Sequence, residues 1–409
     1  VLVDSLDVNR TSGARANYAL IENLSQSFKL TVLHGSETEI SLNSIDAIKV
    51  KEVKWNWRYI LSRTIRLFRR HIGLNLSPFF ENKIGFSFTF LSFSHSFQKV
   101  LNSLDDSKFN LVFTLSQGES FMPHHTILKA PRFHKNWLAY IHDPYPMACY
   151  PKSYAFIGPG TEQKKLFMQA VFDQAKFLSF PSLLLSEWMQ KFYRFDRQRV
   201  KIIPHQIAQG LNKKSDIRYD SFFDNKKFNI LYAGHLLSQR NPLPIIEAFN
   251  LFLGKHKNFI DDCQLTFIGP VSSVWTDKLK EFASDQIKFF PPQDFDVTIQ
   301  FQKQASVNII IEAIDDESPF LPAKFPHCIF SQKPMLLLSP IKSESRRLLG
   351  ENFQFISLPS DISSISLNIE QLFKNWKAGK EYKYAEGLVH YLKKEHLCEV
   401  VSEILSHGA

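Results

Sequence analysis

The sequence predicts an α/β protein built from two Rossmann-like, doubly wound domains, each a parallel sheet flanked by helices. Three observations carry this. At 409 residues the chain exceeds what one ordinary core organises and fits two domains. From residue 228 onward, short apolar runs alternate with stretches of helical period, the βαβα pattern of a parallel sheet. Between the halves, residues 206–227 are polar, charged and aperiodic. The expected division is a first domain over 1–206, a linker over 207–227, a second domain over 228–381 and a C-terminal helix over 382–409.

Residues 1–3 form an apolar strand, so the chain opens inside an element and its first residues are expected to be missing. A polar loop over 4–13 leads into an amphipathic helix over 14–27 that carries Tyr18, Leu20, Ile21 and Leu24. Residues 29–33 are the next strand. The helix of this βαβ unit opens at Ser12-Gly13, and glycine there lets backbone N–H groups approach a ligand. No G-x-G-x-x-G accompanies it.

Residues 51–75 have a different character. Lys54, Arg58, Arg63, Arg66, Arg69 and Arg70 interleave with Trp55, Trp57, Tyr59, Ile60, Leu67 and Phe68, and no acid falls between Lys54 and Arg70. A basic, aromatic, amphipathic helix fits a membrane surface. It fits equally a core-facing helix with a solvated basic face. Nucleic acid is a third reading, but no nucleic-acid module surrounds the segment.

Residues 86–101 are rich in Phe and Ser and fit helix and strand alike. Residues 109–115 and 137–141 are strands, the second ending in His142-Asp143-Pro144. A histidine at the carboxyl end of a parallel strand faces the ligand crevice. Its imidazole can donate or accept a proton near neutral pH; the plainer alternative is a loop histidine held by local contacts. Residues 147–160 form a Pro/Gly/aromatic loop long enough to bind an acceptor or act as a lid. A helix over 161–175, a strand over 176–180, a helix over 183–193 and a strand over 201–203 follow.

In the second half, the strand 228–233 runs into Gly234-His235, then Arg240-Asn241-Pro242 and a helix over 243–252. Strands over 263–268, 287–290 and 307–311 alternate with helices over 272–283 and 294–305, and Gly269 follows the first of these strands. An acidic loop over 312–317 precedes Pro322-Ala323-Lys324. Proline there suits a first helical turn, and Phe325, Cys328 and Ile329 continue at helical spacing. Lys333-Pro334 ends that pattern, and 335–338 reads as a buried parallel strand. A loop from a parallel strand into a helix N-terminus is where open α/β sheets bind phosphates. The plainer alternative is an ordinary connection with a solvated lysine. A strand over 353–358 and helices over 362–376 and 382–405 end the chain.

Three of these runs resemble GT-B glycosyltransferases, specifically the large retaining family that builds bacterial surface polysaccharides (glycosyl transferases group 1). They are Pro322-Ala323-Lys324-Phe325 with Gln332-Lys333-Pro334, Gly234-His235 through Arg240-Asn241, and the strand ending in His142-Asp143-Pro144. The resemblance implies two Rossmann-like domains facing across a cleft, the first binding the acceptor and the second the nucleotide sugar. It implies that Arg240 and Lys324 hold the donor diphosphate, with His235, Gly234 and Gly269 beside them. It implies acceptor or phosphate-loop roles for Ser12, Gly13 and Asp143, and a catalytic role for His142 at the sugar-transfer site. The last helix would cross back onto the first domain.

The sequence departs from the family in three places. The family's arginine is His235, and its lysine is Arg240, which keeps the charge and can bind two oxygens at once. Its E-x7-E glutamates are replaced by Pro319 and His327. Glu317 is the nearest acid, so it is expected to receive the ribose or donor-sugar hydroxyls while His327 packs locally.

The expectation is therefore a retaining, hexosyltransferase-type glycosyltransferase moving a sugar from a nucleotide-sugar donor to a saccharide or lipid-linked acceptor, in bacterial surface polysaccharide or glycoconjugate biosynthesis. A net charge of +9 favours anionic partners, including an anionic membrane surface. Nucleic acid is not expected. No cofactor or metal is expected, because the acidic pairs Asp105-Asp106, Asp261-Asp262 and Asp315-Asp316 read as solvated turns. Four widely spaced cysteines match no zinc or disulfide spacing, and no apolar run spans a bilayer, so a cytoplasmic protein at the inner membrane face is expected. Two alternatives stay open: a non-catalytic nucleotide-binding scaffold of this shape, and a nucleotide-sugar epimerase on the same fold.

Overall fold

The computed structural model describes residues 1–8, 11–37, 45–208, 224 and 226–406. It divides into two α/β domains, one comprising Val1–Ala208 and Lys394–Ala409, the other Gln209–Lys393. The linker read from the sequence lies almost wholly outside the described residues.

The first domain's strands are β1 Leu2–Val3, β2 Leu30–His34, β3 Ile45–Lys49, β4 Val112–Leu115, β5 Trp137–Tyr140, β6 Phe177–Phe180 and β7 Val200–Ile202. They form a sheet of order β3-β2-β1-β4-β5-β6-β7, parallel throughout. Strands β4, β5 and β6 are buried at every residue, which is why they read as apolar runs interrupted only by the small polar residues Thr114 and Ser179. The helices are α1 Ser12–Ser25, α2 Trp57–Ile72, α3 Ser77–Ile84, α4 Phe88–Asn102, α5 Met122–Leu128, α6 Thr161–Gln174 and α7 Leu183–Met189.

Two of these helices fall on segments whose reading the sequence left open. The Phe/Ser-rich segment is helix α4, opened by Ser87, whose side chain accepts from the Phe90 N–H. Its Ser92, Ser94 and Ser96 point inward, and Ser94 Oγ lies 2.7 Å from buried His125 Nδ1. These inward serines make the segment look two-periodic, although its backbone is helical; Ser96 Oγ donates to the Ser92 carbonyl at 2.9 Å. Helix α2 begins with Asn56 capping the Tyr59 N–H and ends at Gly73, with φ 72°. It buries only Ser62 and Ile65, so its basic, aromatic residues are overwhelmingly on the surface. Trp55, just ahead of it, is 92% exposed.

The second domain contains β8 Phe228–Ala233, β9 Cys263–Ile268, β10 Ile287–Phe290, β11 Val307–Ile311, β12 Glu317–Ser318, β13 Met335–Leu338, β14 Lys342–Ser343 and β15 Ile356–Ser357. The main sheet has the order β10-β9-β8-β11-β13-β15 and is parallel throughout; β12 and β14 form a separate parallel pair. Its helices are α8 Leu243–Lys255, α9 Ser273–Lys280, α10 Phe295–Gln304, α11 Phe325–Phe330, α12 Glu344–Leu349, α13 Ile362–Lys377 and α14 Glu386–Tyr391.

The helix expected over 382–405 is in fact two, α14 and α15 (Lys394–Ser406). Leu388, Val389 and Tyr391 of α14 pack against Phe325, Ile329 and Leu337 in the second domain. Leu397, Val401 and Ile404 of α15 join Leu20, Ile21 and Leu24 of α1 in the first. Each half therefore buries its apolar face in a different core, and the break at Leu392-Lys393 lets the chain pass from one to the other. The cysteines are free, and no helix among the described residues is long and apolar enough to cross a membrane.

Candidate functional site

In the second sheet, β8 and β11 are neighbours from which the chain winds off in opposite directions. The crevice outside the carboxyl ends at such a switch point is where open α/β sheets take ligands. Gly234 follows β8 with φ 145° and Gly269 follows β9 with φ 138°, both in a region that L side chains rarely adopt. Their backbones touch. A Cβ on Gly269 would stand 2.4 Å from the Gly234 carbonyl oxygen, and a Cβ on Gly234 would stand 3.0 Å from Lys324 Nζ.

Lys324 is the N-cap of α11, not part of its first turn, and Pro326 rather than Pro322 takes the early helical position. With only six residues, α11 contributes little as a dipole; the ammonium is the feature that matters. Nζ is buried 3.6 Å from the centroid of the Tyr232 ring, and no described group accepts a hydrogen bond from it. Burial lowers the lysine's pKa, and Tyr232 opposes that shift. Burial would raise the Tyr232 phenol, but the neighbouring cations Lys324 and Arg240 outweigh it and leave its pKa lowered.

Arg240 lies in the turn between β8 and α8. Its backbone N–H donates to the Leu237 carbonyl at 3.0 Å, and its Nη1 donates to the His235 carbonyl at 3.4 Å. The next residue, Asn241, accepts from the Leu243 N–H at 3.0 Å and so opens α8. His235 therefore contributes differently from the sequence expectation. Its ring is exposed, and it is its carbonyl that holds Arg240 and also accepts from the Tyr232 hydroxyl at 2.9 Å. Burial and the Arg240 charge both lower the imidazole pKa.

The acid expected at this site was Glu317. It stands on the β12–β14 pair, with its carboxylate 2.7 Å from Lys342 Nζ. A carboxylate within the electrostatic reach of Arg240 is Glu312, directly after β11. Its Oε1 accepts from Ser345 Oγ at 2.6 Å. Burial pushes its pKa up to about 7, against the hydroxyls of Ser345, Ser343 and Ser318 and the charge of Arg240. Its signal in the sequence was its position, an acid at the carboxyl end of a switch-point strand. His327 packs its ring edge-to-face on Phe295 of α10.

The first domain has its own switch point between β1 and β4. His142, immediately after β5, is buried. Its backbone N–H donates to Ser116 Oγ at 2.9 Å, and its Nε2 lies 2.7 Å from Asn17 Oδ1. Asn17 uses its Nδ2 to donate to the Ser116 carbonyl. Oδ1 is thus the acceptor, so His142 carries its proton on Nε2. The ring stacks on His205 at 5.3 Å and meets Tyr140 edge-on at 4.5 Å. Burial, with His205 and His124 nearby, holds its pKa well below the ordinary value, so it is neutral at pH 7. Asn17 and His205 were not singled out in the sequence; Asn17 looked like an ordinary polar residue of an amphipathic helix.

Asp143 is half-buried and its pKa is raised to about 6 by burial. Asp4, at the end of β1, is raised to about 6 by burial, against a hydrogen bond from Ser120. Ser12 is exposed in the first turn of α1, behind the N-cap Thr11. Gly13 leaves room for Gln117, whose Cγ would lie 3.0 Å from a Cβ there, and Gln117 Nε2 donates to Thr11 Oγ1 at 2.7 Å. Gly13 thus admits a side chain from the loop after β4. Among the described residues, no group of three or more His, Cys, Asp or Glu could hold a metal ion.

No protein-family model and no curated protein matches the sequence. Solved structures do match its shape. HepE of Anabaena, in complex with UDP and glucose, has a TM-score of 0.61 at 10% identity over 99% of this chain and 98% of its own. A glycosyltransferase from Rickettsia africae has a TM-score of 0.61 at 13% identity over 99% of this chain and 97% of its own. WaaG, a glycosyltransferase involved in lipopolysaccharide biosynthesis, has a TM-score of 0.59 at 11% identity over 98% of each chain. At such identities the likeness establishes the architecture: this chain has the two-domain α/β fold of the GT-B glycosyltransferases.

Proposed function

We propose that the protein is a glycosyltransferase that moves a sugar from a nucleotide-sugar donor to a saccharide or lipid-linked acceptor. The observation that carries this reading is the buried, unaccepted ammonium of Lys324 beside Gly234, with Arg240 on the adjoining turn. A buried cation without an acceptor is costly, and a diphosphate would relieve it. As the leaving diphosphate gains charge, cations already fixed in place stabilise it without reorganisation. HepE is described with UDP and with UDP-glucose, which supports a nucleotide-sugar donor here.

With two cations for the diphosphate, no divalent ion or other cofactor is required. In the first domain, neutral His142, held by Asn17 through Nε2–H, orients the sugar or acceptor with its remaining ring nitrogen. In this scheme Asp143, Ser12 and Gly13 serve the acceptor. We extend the proposal to hexosyl transfer with retention, to a place in bacterial surface polysaccharide or glycoconjugate synthesis, and to the cytoplasmic face of an anionic membrane, reached through α2. Retention is checked by the anomeric configuration of the product.

The decisive experiment is titration of UDP, in chelator, into the wild type and into Lys324→Ala and Arg240→Ala. The wild type should bind, and each variant should lose roughly 1.5–3 kcal/mol, the range for hydrogen bonds to charged groups. Unchanged affinity in both variants would sink the reading. Binding that needs added magnesium would replace the two-cation scheme with a metal site. A second reading, a non-catalytic nucleotide-binding scaffold, is favoured by Pro319 and His327 at the usual acidic positions. It predicts tight UDP binding with no turnover of any nucleotide sugar.

A further inference from the structure

Tyr232 is wholly buried near the end of β8, with Phe267 of β9 beside it at 5.9 Å. Above its ring lies Lys324 Nζ, 3.6 Å from the centroid. Its hydroxyl donates to the His235 carbonyl at 2.9 Å, the same oxygen that receives Arg240 Nη1 at 3.4 Å. One side chain therefore meets the supports of both cations. An ammonium over an aromatic face is attracted by the ring quadrupole, most strongly where water is excluded. With no described acceptor for Nζ, the ring is what offsets the desolvation of Lys324 when no anion is present.

We infer that Tyr232 is a positioning residue, an aromatic platform that seats Lys324 with its ring and Arg240, through the His235 carbonyl, with its hydroxyl. This rests on the diphosphate reading above. The ring covers one side of the ammonium. On its other side the ammonium approaches Gly234 so closely that a Cβ there would stand 3.0 Å from Nζ. Two cations that both meet the Tyr232 side chain or its partner carbonyl suit an anion with charge on two phosphorus atoms, and inorganic pyrophosphate is the minimal probe of that chemistry.

Pyrophosphate is titrated into the full chain and into K324M, R240Q, Y232L, Y232F, Y232L/K324M and Y232F/R240Q. If neither K324M nor R240Q weakens binding, the diphosphate reading fails and takes this inference with it. If they do weaken it, Y232L should cost about tenfold when Lys324 is present and less than about twofold in the K324M chain. Y232F keeps the ring and should cost about threefold, with no further loss in the R240Q chain.

A merely structural tyrosine would weaken both backgrounds equally. Equal losses, or no loss in Y232L, overturn the platform and leave the diphosphate site standing. Thermal midpoints of the ligand-free chains close a second cycle if binding becomes too weak to measure. The drop caused by Y232L should shrink when Lys324 is Met, and equal drops overturn the inference.

Discussion

At the scale of single residues, the second domain's site is governed by buried groups whose partners are few. Glu312 is one. Its pKa is raised to about 7, above the ordinary 4.5, with burial as the main cause. The folded state therefore favours the protonated form. Its contribution to stability is fully present below about pH 4.5 and is lost as the pH rises through 7. The size of that loss is on the order of 3 kcal/mol. Glu312→Gln keeps an acceptor for Ser345 and removes the titration. Thermal midpoints of the two chains should lie closest near pH 4 and diverge by pH 8, with the variant gaining on the wild type; parallel curves would mean that Glu312 does not change protonation on folding.

Gly234 is the other residue to test. Alanine there must adopt φ 145° and place its Cβ 3.0 Å from Lys324 Nζ. Gly234→Ala should cost about 1–3 kcal/mol of stability through backbone strain. It should also weaken UDP binding by displacing the ammonium. A variant that binds UDP like the wild type would show that Nζ is not where the ligand meets the protein.

Among elements, α2 carries its own test. A helix that buries two residues and exposes Trp57, Ile60, Leu67 and Phe68 among its arginines gains little from the core beneath it. Arg69 and Arg70 lie in its last turn, ahead of Gly73. If the helix docks on anionic lipid, each arginine adds on the order of 1 kcal/mol. Arg69→Gln with Arg70→Gln should then lower co-sedimentation with phosphatidylserine vesicles, leave binding to neutral vesicles unchanged, and not alter the melting curve. Equal binding of both proteins to both vesicle types would remove the membrane from the proposal.

At the scale of the whole molecule, α15 ties the end of the chain to its beginning. Leu397 and Ile404 are fully buried beside Leu20 and Ile21 of α1, and Lys201 pairs with Glu403 at 2.6 Å. Leu397→Ala should therefore destabilise the first domain by about 2–5 kcal/mol, the cost of such a core truncation. Calorimetry of the full chain should show the first domain's transition moving down, with UDP still stabilising the second. Loss of UDP binding in this variant would argue that the donor residues depend on the first domain's integrity.

The sequence by itself determined the strands and the cations between them. Phe228–Ala233, Cys263–Ile268, Ile287–Phe290 and Val307–Ile311 were readable to the residue, because a short, mostly apolar run bounded by polar turns marks a strand even where it carries Asn229, Gln264, Lys288 or Asn308. Arg240 and Lys324 were readable as cations between a strand and a helix, since that position follows from element order alone. What each group does with its neighbours was not readable. Glu317 stood nearer in sequence to the lysine, yet β12 pairs with β14 and hands it to Lys342, while Glu312 comes under Arg240. The segment 86–101 is a helix whose inward Ser94 and Ser96 are bonded to distant His125 and Val53, contacts that no local pattern shows. Tyr232 and Asn17 gained their roles from Lys324 and His142, which are distant in sequence. Element type follows from local periodicity, whereas the partner of a buried polar group depends on which distant segment folding brings against it, and no local pattern encodes that.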